Sequence, residues 1–286
     1  FKILTTVAGL RHGIIEIDQP LVFCNGYLKV GNRLYPCDVG QGRHGNVTLR
    51  DAISWSCDVY YYEAGLRTTA EHLAAEGRRF HLDRRTGIEL PGEQNRSIMP
   101  DPAWMMQERG TRWMPGDTAN IAIGQGDVLV SPLQMACFTA SVARGEVFTQ
   151  PTLLHDPNRP RQQHESIGLT TEQRTALIEG MEGTVSSPRG TARTINLPAL
   201  KIPGVAIAGK TGTAQVPGRK NVAWFICFAP AENPEIALAI AVEGDTAGED
   251  YYGGTYAAPI AHAIMAKYFE RKNSPTAKLL SPLKTP

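Results

Sequence analysis

The chain has 286 residues, 42% of them hydrophobic and 20% charged, with a formal net charge of +1. That composition is ordinary for a globular protein, and the length suits one elaborate α/β domain with insertions. A charge this close to zero supplies no global field toward nucleic acid or an anionic surface, so no nucleic-acid partner is expected.

Taken in chain order, residues 2 to 12 read as a helix with Ile3, Leu4, Val7 and Leu10 on one face, stopped by Gly13. Residues 18 to 47 are rich in Gly, Pro, Asn and Cys, lack a clean period and read as an irregular excursion. Thr48 and Asp51 form an N-cap and N3 pair that opens a helix toward Ser54. A second helix is expected through Tyr62 and a third from 69 to 80. Residues 91 to 126 read as a long loop region. Pro132 at a first helical turn opens a buried helix that ends near Gly145. Residues 145 to 168 read as loop and 170 to 185 as helix.

The last third changes character. Residues 205–216, 222–229 and 235–243 read as three strands of an antiparallel meander. A long amphipathic helix follows over 254–271. The expected fold class is α/β (α+β), a central antiparallel sheet with helices on both sides. One domain is expected over 1–272, with a flexible Pro- and Lys-rich tail over 273–286. No apolar run approaches the roughly 20 residues that a membrane helix needs. The chain opens on Phe1-Lys2 rather than Met, so targeting and anchoring segments are expected upstream.

The sharpest chemical signal is Ala208-Gly209-Lys210-Thr211-Gly212-Thr213-Ala214, inside the first strand. Glycines in a strand mark places where a ligand or another backbone comes close. An extended peptide can pair along such an edge, with Lys210, Thr211 and Thr213 meeting a carboxylate. The backbone N–H of Thr213 is placed to face a developing oxyanion. Read alone, the segment is also compatible with a hairpin strand carrying an exposed lysine. A second signal, Ser56-Cys57-Asp58, puts a hydroxyl and a carboxylate two residues apart at a helix junction, although Ser-x-Asp is also a common helix cap. Lys2 gains meaning only with the others. The order Lys, Ser-x-Asp, Lys-Thr-Gly is that of S-x-x-K, S-D-N and K-T-G in penicillin-recognising serine enzymes.

With these motifs the chain resembles the class B penicillin-binding proteins, peptidoglycan D,D-transpeptidases. Trp113 to Thr118, Ile123-Gly124-Gln125-Gly126, Pro132 to Ala136, Gly180-Met181, Gly190-Thr191-Ala192 and Ala223-Trp224-Phe225 are similar to stretches of that family. Lys2 corresponds to the end of S-x-x-K, so the nucleophilic serine is expected three residues before it, just upstream of Phe1. Ser281-Pro282-Leu283-Lys284 fits the same pattern but follows Lys210 and reads as chance. Asp58 stands where many relatives have Asn, as in elongation-type members.

The resemblance implies acyl transfer at the D-Ala-D-Ala end of a stem peptide. Lys2, desolvated and beside another cation, serves as base, and Asp58 holds Lys2. Ser56 relays a proton to the leaving D-alanine. Lys210 with Thr211, Gly212 and Thr213 binds the donor, and an amine of a second stem peptide resolves the acyl-enzyme. β-Lactams mimic the donor. The implied partners are a membrane glycosyltransferase and elongation-complex proteins, at the periplasmic face of the inner membrane. A serine β-lactamase and a non-catalytic β-lactam receptor or scaffold of the same fold remain the alternatives.

Five cysteines, Cys24, Cys37, Cys57, Cys137 and Cys227, are too odd in number for a complete disulfide framework. Cys24, Cys37, His44 and Cys57 make up a Cys₃His set for a structural Zn²⁺ in a segment short of its own core. Some elongation-type relatives resemble this, with mixed Asp, His and Cys ligands. A Cys24–Cys37 disulfide, with Cys57 free, is the competing expectation. Cys137 and Cys227 read as core residues, and the run Tyr60-Tyr61-Tyr62 as packing beside the site.

Overall fold

A computed structural model describes residues 1–37, 42–93, 96–148, 150–154, 165–216, 218, 220–244 and 251–273. The expected tail beyond Asn273, with Ser281 and Lys284, lies outside the described residues.

The first helix, α1 (Lys2–Arg11), is the axis of the molecule. Its residues from Lys2 to Leu10 are all buried, so the one-faced helix read from its pattern is instead surrounded. Its small and polar positions make that possible. The Thr5 hydroxyl donates to the Ala122 carbonyl at 2.6 Å, and the hydroxyls of Thr6 and Tyr61 meet at 3.0 Å. Each buried polar group thus finds a partner.

The irregular excursion predicted for 18–47 carries order. Strands β1 (Val22–Cys24), β2 (Tyr27–Val30), β3 (Arg33–Pro36) and β4 (Gly45–Val47) form two small antiparallel pairs, β1 with β4 and β2 with β3. Three- and four-residue strands offer almost no periodicity to read. The Thr48 N-cap forms as expected, accepting from the Asp51 N–H at 3.5 Å, and opens α2 (Leu49–Ser54). Helices α3 (Asp58–Thr68) and α4 (Ala70–Arg79) follow. The supposed loop over 91–126 contains two more helices, α5 (Pro102–Arg109) and α6 (Pro115–Ala122). Both start with Pro in the first turn, and an Asp side chain meets a backbone N–H at each start: Asp101 that of Trp104, Asp117 that of Met114.

Helices α7 (Pro132–Arg144) and α8 (Thr171–Ser186) lie where the pattern put them, each with a capping box. Strands β5 (Ala208–Ala214), β6 (Val222–Ala229) and β7 (Ile236–Glu243) form the expected antiparallel meander in the order β5-β6-β7. The closing helix is α9 (Ala258–Asn273), entered through a π-helical turn over Gly253–Ala257.

The central strand shows why helices cover both faces. Ala223, Phe225, Cys227 and Ala229 pack into the cluster of Ala258, Ala261, Met265 and Phe269 on α9. Their alternates Trp224, Ile226 and Phe228 belong to the main core with α1, α3 and α7. The period-2 alternation of a strand thus divides β6 between two apolar layers. Cys137 and Cys227 are buried, as expected. Among the described residues no helix is long and apolar enough to cross a membrane.

Helix α8 carries α2 close to the sheet through small residues. A side chain built at Gly180 meets Ile53 of α2 at 2.8 Å. Gly180→Val is therefore expected to lower stability by about 1–3 kcal/mol through overpacking, measured by denaturant unfolding.

Candidate active site

Three elements supply the site. α1 presents Lys2 from its first turn, the α2–α3 junction presents Ser56 and Asp58, and β5 presents Lys210. Their meeting point is the Ser56 hydroxyl. Lys2 Nζ donates to Ser56 Oγ at 2.8 Å, and Lys210 Nζ donates to the same oxygen at 2.8 Å. Lys2 also donates to the Ser56 carbonyl at 2.8 Å and pairs with Asp58 Oδ1 at 2.6 Å. Its three N–H bonds are therefore matched by three acceptors. Lys210 further donates to the Thr211 carbonyl at 3.0 Å. Both lysines are buried, at 9% and 3% of full exposure, where an unpaired ammonium is costly.

The turn that makes this possible is strained. Ser56 has φ of 58°, the left-handed region that costs a non-glycine residue about 1–2 kcal/mol. It is held there by Ser56 N–H to Ile53 O at 3.3 Å and Cys57 N–H to Ala52 O at 3.1 Å. In this conformation its hydroxyl and its carbonyl both face Lys2. Strain of this kind concentrates at functional positions.

A hydroxyl has two acceptor sites and one donor. With both lysines charged, Ser56 Oγ accepts from each and its proton points elsewhere. With Lys2 neutral, the same hydroxyl can donate to Lys2 while still accepting from Lys210. The Lys2–Ser56–Lys210 array can thus pass a proton along fixed short bonds without moving a backbone atom.

Beside Lys210 the strand edge carries Thr211, Gly212 and Thr213. The Thr211 and Thr191 hydroxyls meet at 2.7 Å, bringing in a residue from the α8–β5 connection. Gln125, in the loop after α6, donates from Nε2 to the Thr213 carbonyl at 3.0 Å. Tyr61 sits under Lys2, with the ammonium 5.4 Å from the ring centroid. Burial pushes its phenol well above the ordinary range, which keeps it neutral. Thr191, Gln125 and Tyr61 had no role assigned from sequence. The signal for the first two was their place within Gly190-Thr191-Ala192 and Ile123-Gly124-Gln125-Gly126, two of the stretches that carry the family resemblance.

Cys24, Cys37, His44 and Cys57 are buried together, their donor atoms all within 4.8 Å of one another. Both Cys24 Sγ and Cys37 Sγ lie 3.5 Å from His44 Nδ1, and Cys37 Sγ lies 3.8 Å from Cys57 Sγ. A tetrahedral zinc ion with ordinary bond lengths sets edges of about 3.8 Å between sulfurs and about 3.6 Å from sulfur to nitrogen. These three separations match, and the remaining ones stay within 4.8 Å. All five cysteines are unbridged, and Cys37 faces Cys57 and His44 rather than closing a bond to Cys24. The hydrogen bond with Cys57 holds the Cys37 thiol below its ordinary value, while the same bond pushes Cys57 up. Among the described residues His44 Nε2 is buried without a hydrogen-bond partner, leaving Nδ1 as the nitrogen aimed at the sulfurs.

The Lys2–Asp58 pair is nearly dry, with side chains 11% and 13% exposed. Removing one partner leaves a buried charge uncompensated. Asp58→Ala is expected to lower stability by about 3–5 kcal/mol, and Asp58→Asn, which keeps an acceptor oxygen, by clearly less; paired denaturant melts of the two variants check this order.

The chain was compared with known proteins. Residues 1–266 match the family described as penicillin binding protein transpeptidase domain. The chain is 32% identical over 276 residues to the peptidoglycan D,D-transpeptidase MrdA of Acinetobacter baumannii, covering 86% of this chain and 39% of that protein. It superposes on Pseudomonas aeruginosa PBP2, solved in complex with WCK 5153, with a TM-score of 0.78 and 31% identity, over 93% of this chain and 57% of that one. With Helicobacter pylori PBP2, solved in complex with MreC, the TM-score is 0.80 at 29% identity, over 94% of this chain and 48% of that one. The chain thus spans less than two thirds of the length of these relatives. The similarity bears out the fold class and the resemblance drawn from the motifs, and the chain belongs to the penicillin-binding protein transpeptidase family.

Proposed function

We propose that this chain is the acyl-transfer domain of a peptidoglycan D,D-transpeptidase that cross-links stem peptides. The observation that carries the reading is the Ser56 hydroxyl gripped at 2.8 Å by both Lys2 and Lys210. The nucleophile is a serine three residues before Lys2.

In the first half-reaction the serine oxygen attacks the carbonyl between the two terminal D-alanines, and its proton passes to neutral Lys2 Nζ. The Thr213 N–H stabilises the oxyanion. The C–N bond then breaks, and Ser56 hands a proton to the departing D-alanine amine while Lys2 resupplies it. In the second half-reaction an amine of another stem peptide attacks the ester and the same groups run in reverse. Asp58 keeps Lys2 in register. Lys210, Thr211 and Thr213 hold the donor carboxylate, and Gly212 keeps side-chain bulk out from between the threonines. β-Lactams acylate the same serine.

Cys24, Cys37, His44 and Cys57 hold a structural Zn²⁺, which supplies a rigid cross-link and no step of the chemistry. Cys57 lies between Ser56 and Asp58 in sequence, so fixing its sulfur fixes the turn that carries both. The domain works at the periplasmic face of the inner membrane, beside a glycosyltransferase and elongation-complex proteins. The MreC complex of the H. pylori relative supports such an assembly.

Two measurements test this reading. The full polypeptide containing this chain should form a stable adduct with a fluorescent penicillin, and Lys2→Met, Ser56→Ala or Lys210→Met should slow acylation by about 10²–10⁴-fold. Rapid release of the label means a β-lactamase, and no labelling with the serine intact means a non-catalytic scaffold. Elemental analysis after exhaustive dialysis should find about one zinc per chain, lost in Cys57→Ser. A Cys24–Cys37 disulfide in the alkylated protein ends the metal assignment.

A further inference from the structure

The free edge of β5 is where an extended ligand must pair, and one side chain already occupies it. β6 covers one side of β5, with Lys210 opposite Ile226 and Thr213 opposite Ala223. On the other side Gln125 makes two contacts. Its Nε2 donates to the Thr213 carbonyl at 3.0 Å, and its Oε1 accepts from the Gln215 N–H at 3.3 Å. Taking the carbonyl of one residue and the N–H two residues on is how one residue of an adjoining parallel strand grips a sheet edge with its own N–H and C=O. The primary amide of Gln125 supplies the same donor and acceptor from a side chain.

The loop carrying Gln125 is shaped to deliver it. Gly124 and Gly126 flank it with φ of 82° and 76°, both in the left-handed region that favours glycine. The Gln125 N–H is tied to the Asn120 carbonyl at 3.0 Å, anchoring the loop to the end of α6. Gly124 lies directly against the Phe1 side chain, so the same loop touches the start of α1. Gln125 itself is half-buried and faces the strand.

We propose that Gln125 is a gate on the β5 edge, a built-in mimic of the donor's backbone amide that is displaced by a ligand bringing its own amide N–H. The proposal rests on the transpeptidase reading and names a determinant of its ligand preference. A peptide laid antiparallel on β5 exchanges both bonds with one residue. With the Thr213 N–H directed at the reacting carbonyl, the Thr213 carbonyl is the acceptor for the ligand's own amide N–H. Gln125 holds that acceptor in the unliganded domain. A ligand that offers an N–H at this point must first displace Gln125 from the Thr213 carbonyl, whereas a ligand without one leaves Gln125 in place, so the gate acts only on the first kind.

The test uses the full polypeptide and two probes that share the reactive ring. A penicillin with an acylamino side chain carries an amide N–H beside the lactam carbonyl, and a carbapenem with a hydroxyethyl side chain does not. Gln125→Met keeps the volume and removes both hydrogen bonds, and Gln125→Asn is too short to span them. In either variant the second-order acylation rate for the penicillin should rise about three- to tenfold, the equivalent of one or two net hydrogen bonds, while the rate for the carbapenem changes less than about twofold. Thermal melting identifies any variant that does not fold, and the other variant then decides. An unchanged ratio between the two probes, or a fall in the penicillin rate alone, overturns the gate and leaves the transpeptidase reading standing. A parent protein that neither probe acylates removes both.

Discussion

The structure depends on one oxygen atom. Ser56 Oγ is the common acceptor of two buried ammonium groups, one 54 and the other 154 positions away from it in sequence. Neither lysine has a reason to be buried alone. Lys2 is admitted because Asp58 and both oxygens of Ser56 accept its three N–H bonds, and Lys210 because Ser56 Oγ and the Thr211 carbonyl face it. Two positive charges and one carboxylate leave the cluster net positive in a low-dielectric setting, which suits an anionic ligand end. The left-handed backbone at Ser56 is the cost of presenting a hydroxyl and a carbonyl to the same lysine.

The rest of the fold can be understood as support for that atom. α1 is buried all round, which fixes where Lys2 points, and its two interior threonines bond to α6 and α3 rather than to water. α8 brings α2 close enough for the Ser54–Ser56 turn to reach the sheet; Thr184 on α8 donates to the Ile53 carbonyl at 3.3 Å, and the Thr191 N–H donates to the Ser54 carbonyl at 3.3 Å. β6, buried on both faces, holds β5 in register so that Lys210 arrives at the same place. The thiol and imidazole cluster on the other side of the turn ties Cys57 to β1 and to the segment before β4. Each support comes from a different stretch of chain, so the site is a product of the whole domain.

The ligand-facing edge is not an empty shelf. Thr191 hydrogen-bonds Thr211, and Gln125 bonds both Thr213 and Gln215, so much of the polar edge of β5 is satisfied before any ligand arrives. A satisfied edge resists pairing with stray strands, which is the hazard of any exposed strand next to a reactive centre. It also means that binding exchanges bonds rather than adding them, and exchange favours ligands that match the pattern.

Much of this was legible in the residues. The three-strand meander, the helices over 132–145 and 170–185, the Thr48 cap and the motif order all follow from local pattern and spacing, and local physics decides them: period-2 alternation, capping hydrogen bonds and the rarity of Lys-Thr-Gly in a strand. The Cys₃His group was visible because four borderline donors in 34 residues are unusual whatever their geometry. The four short strands over 22–47 and the helices α5 and α6 were not legible, since segments of three to eight residues carry too little period to stand above their Gly and Pro content. Tertiary structure alone decided which groups share a proton path. That Lys2 is buried on all sides, that the Ser56 hydroxyl takes two ammonium groups, and that Gln125 lies along β5 each depend on contacts between residues 54 to 154 positions apart, and no local preference encodes a partner that distant.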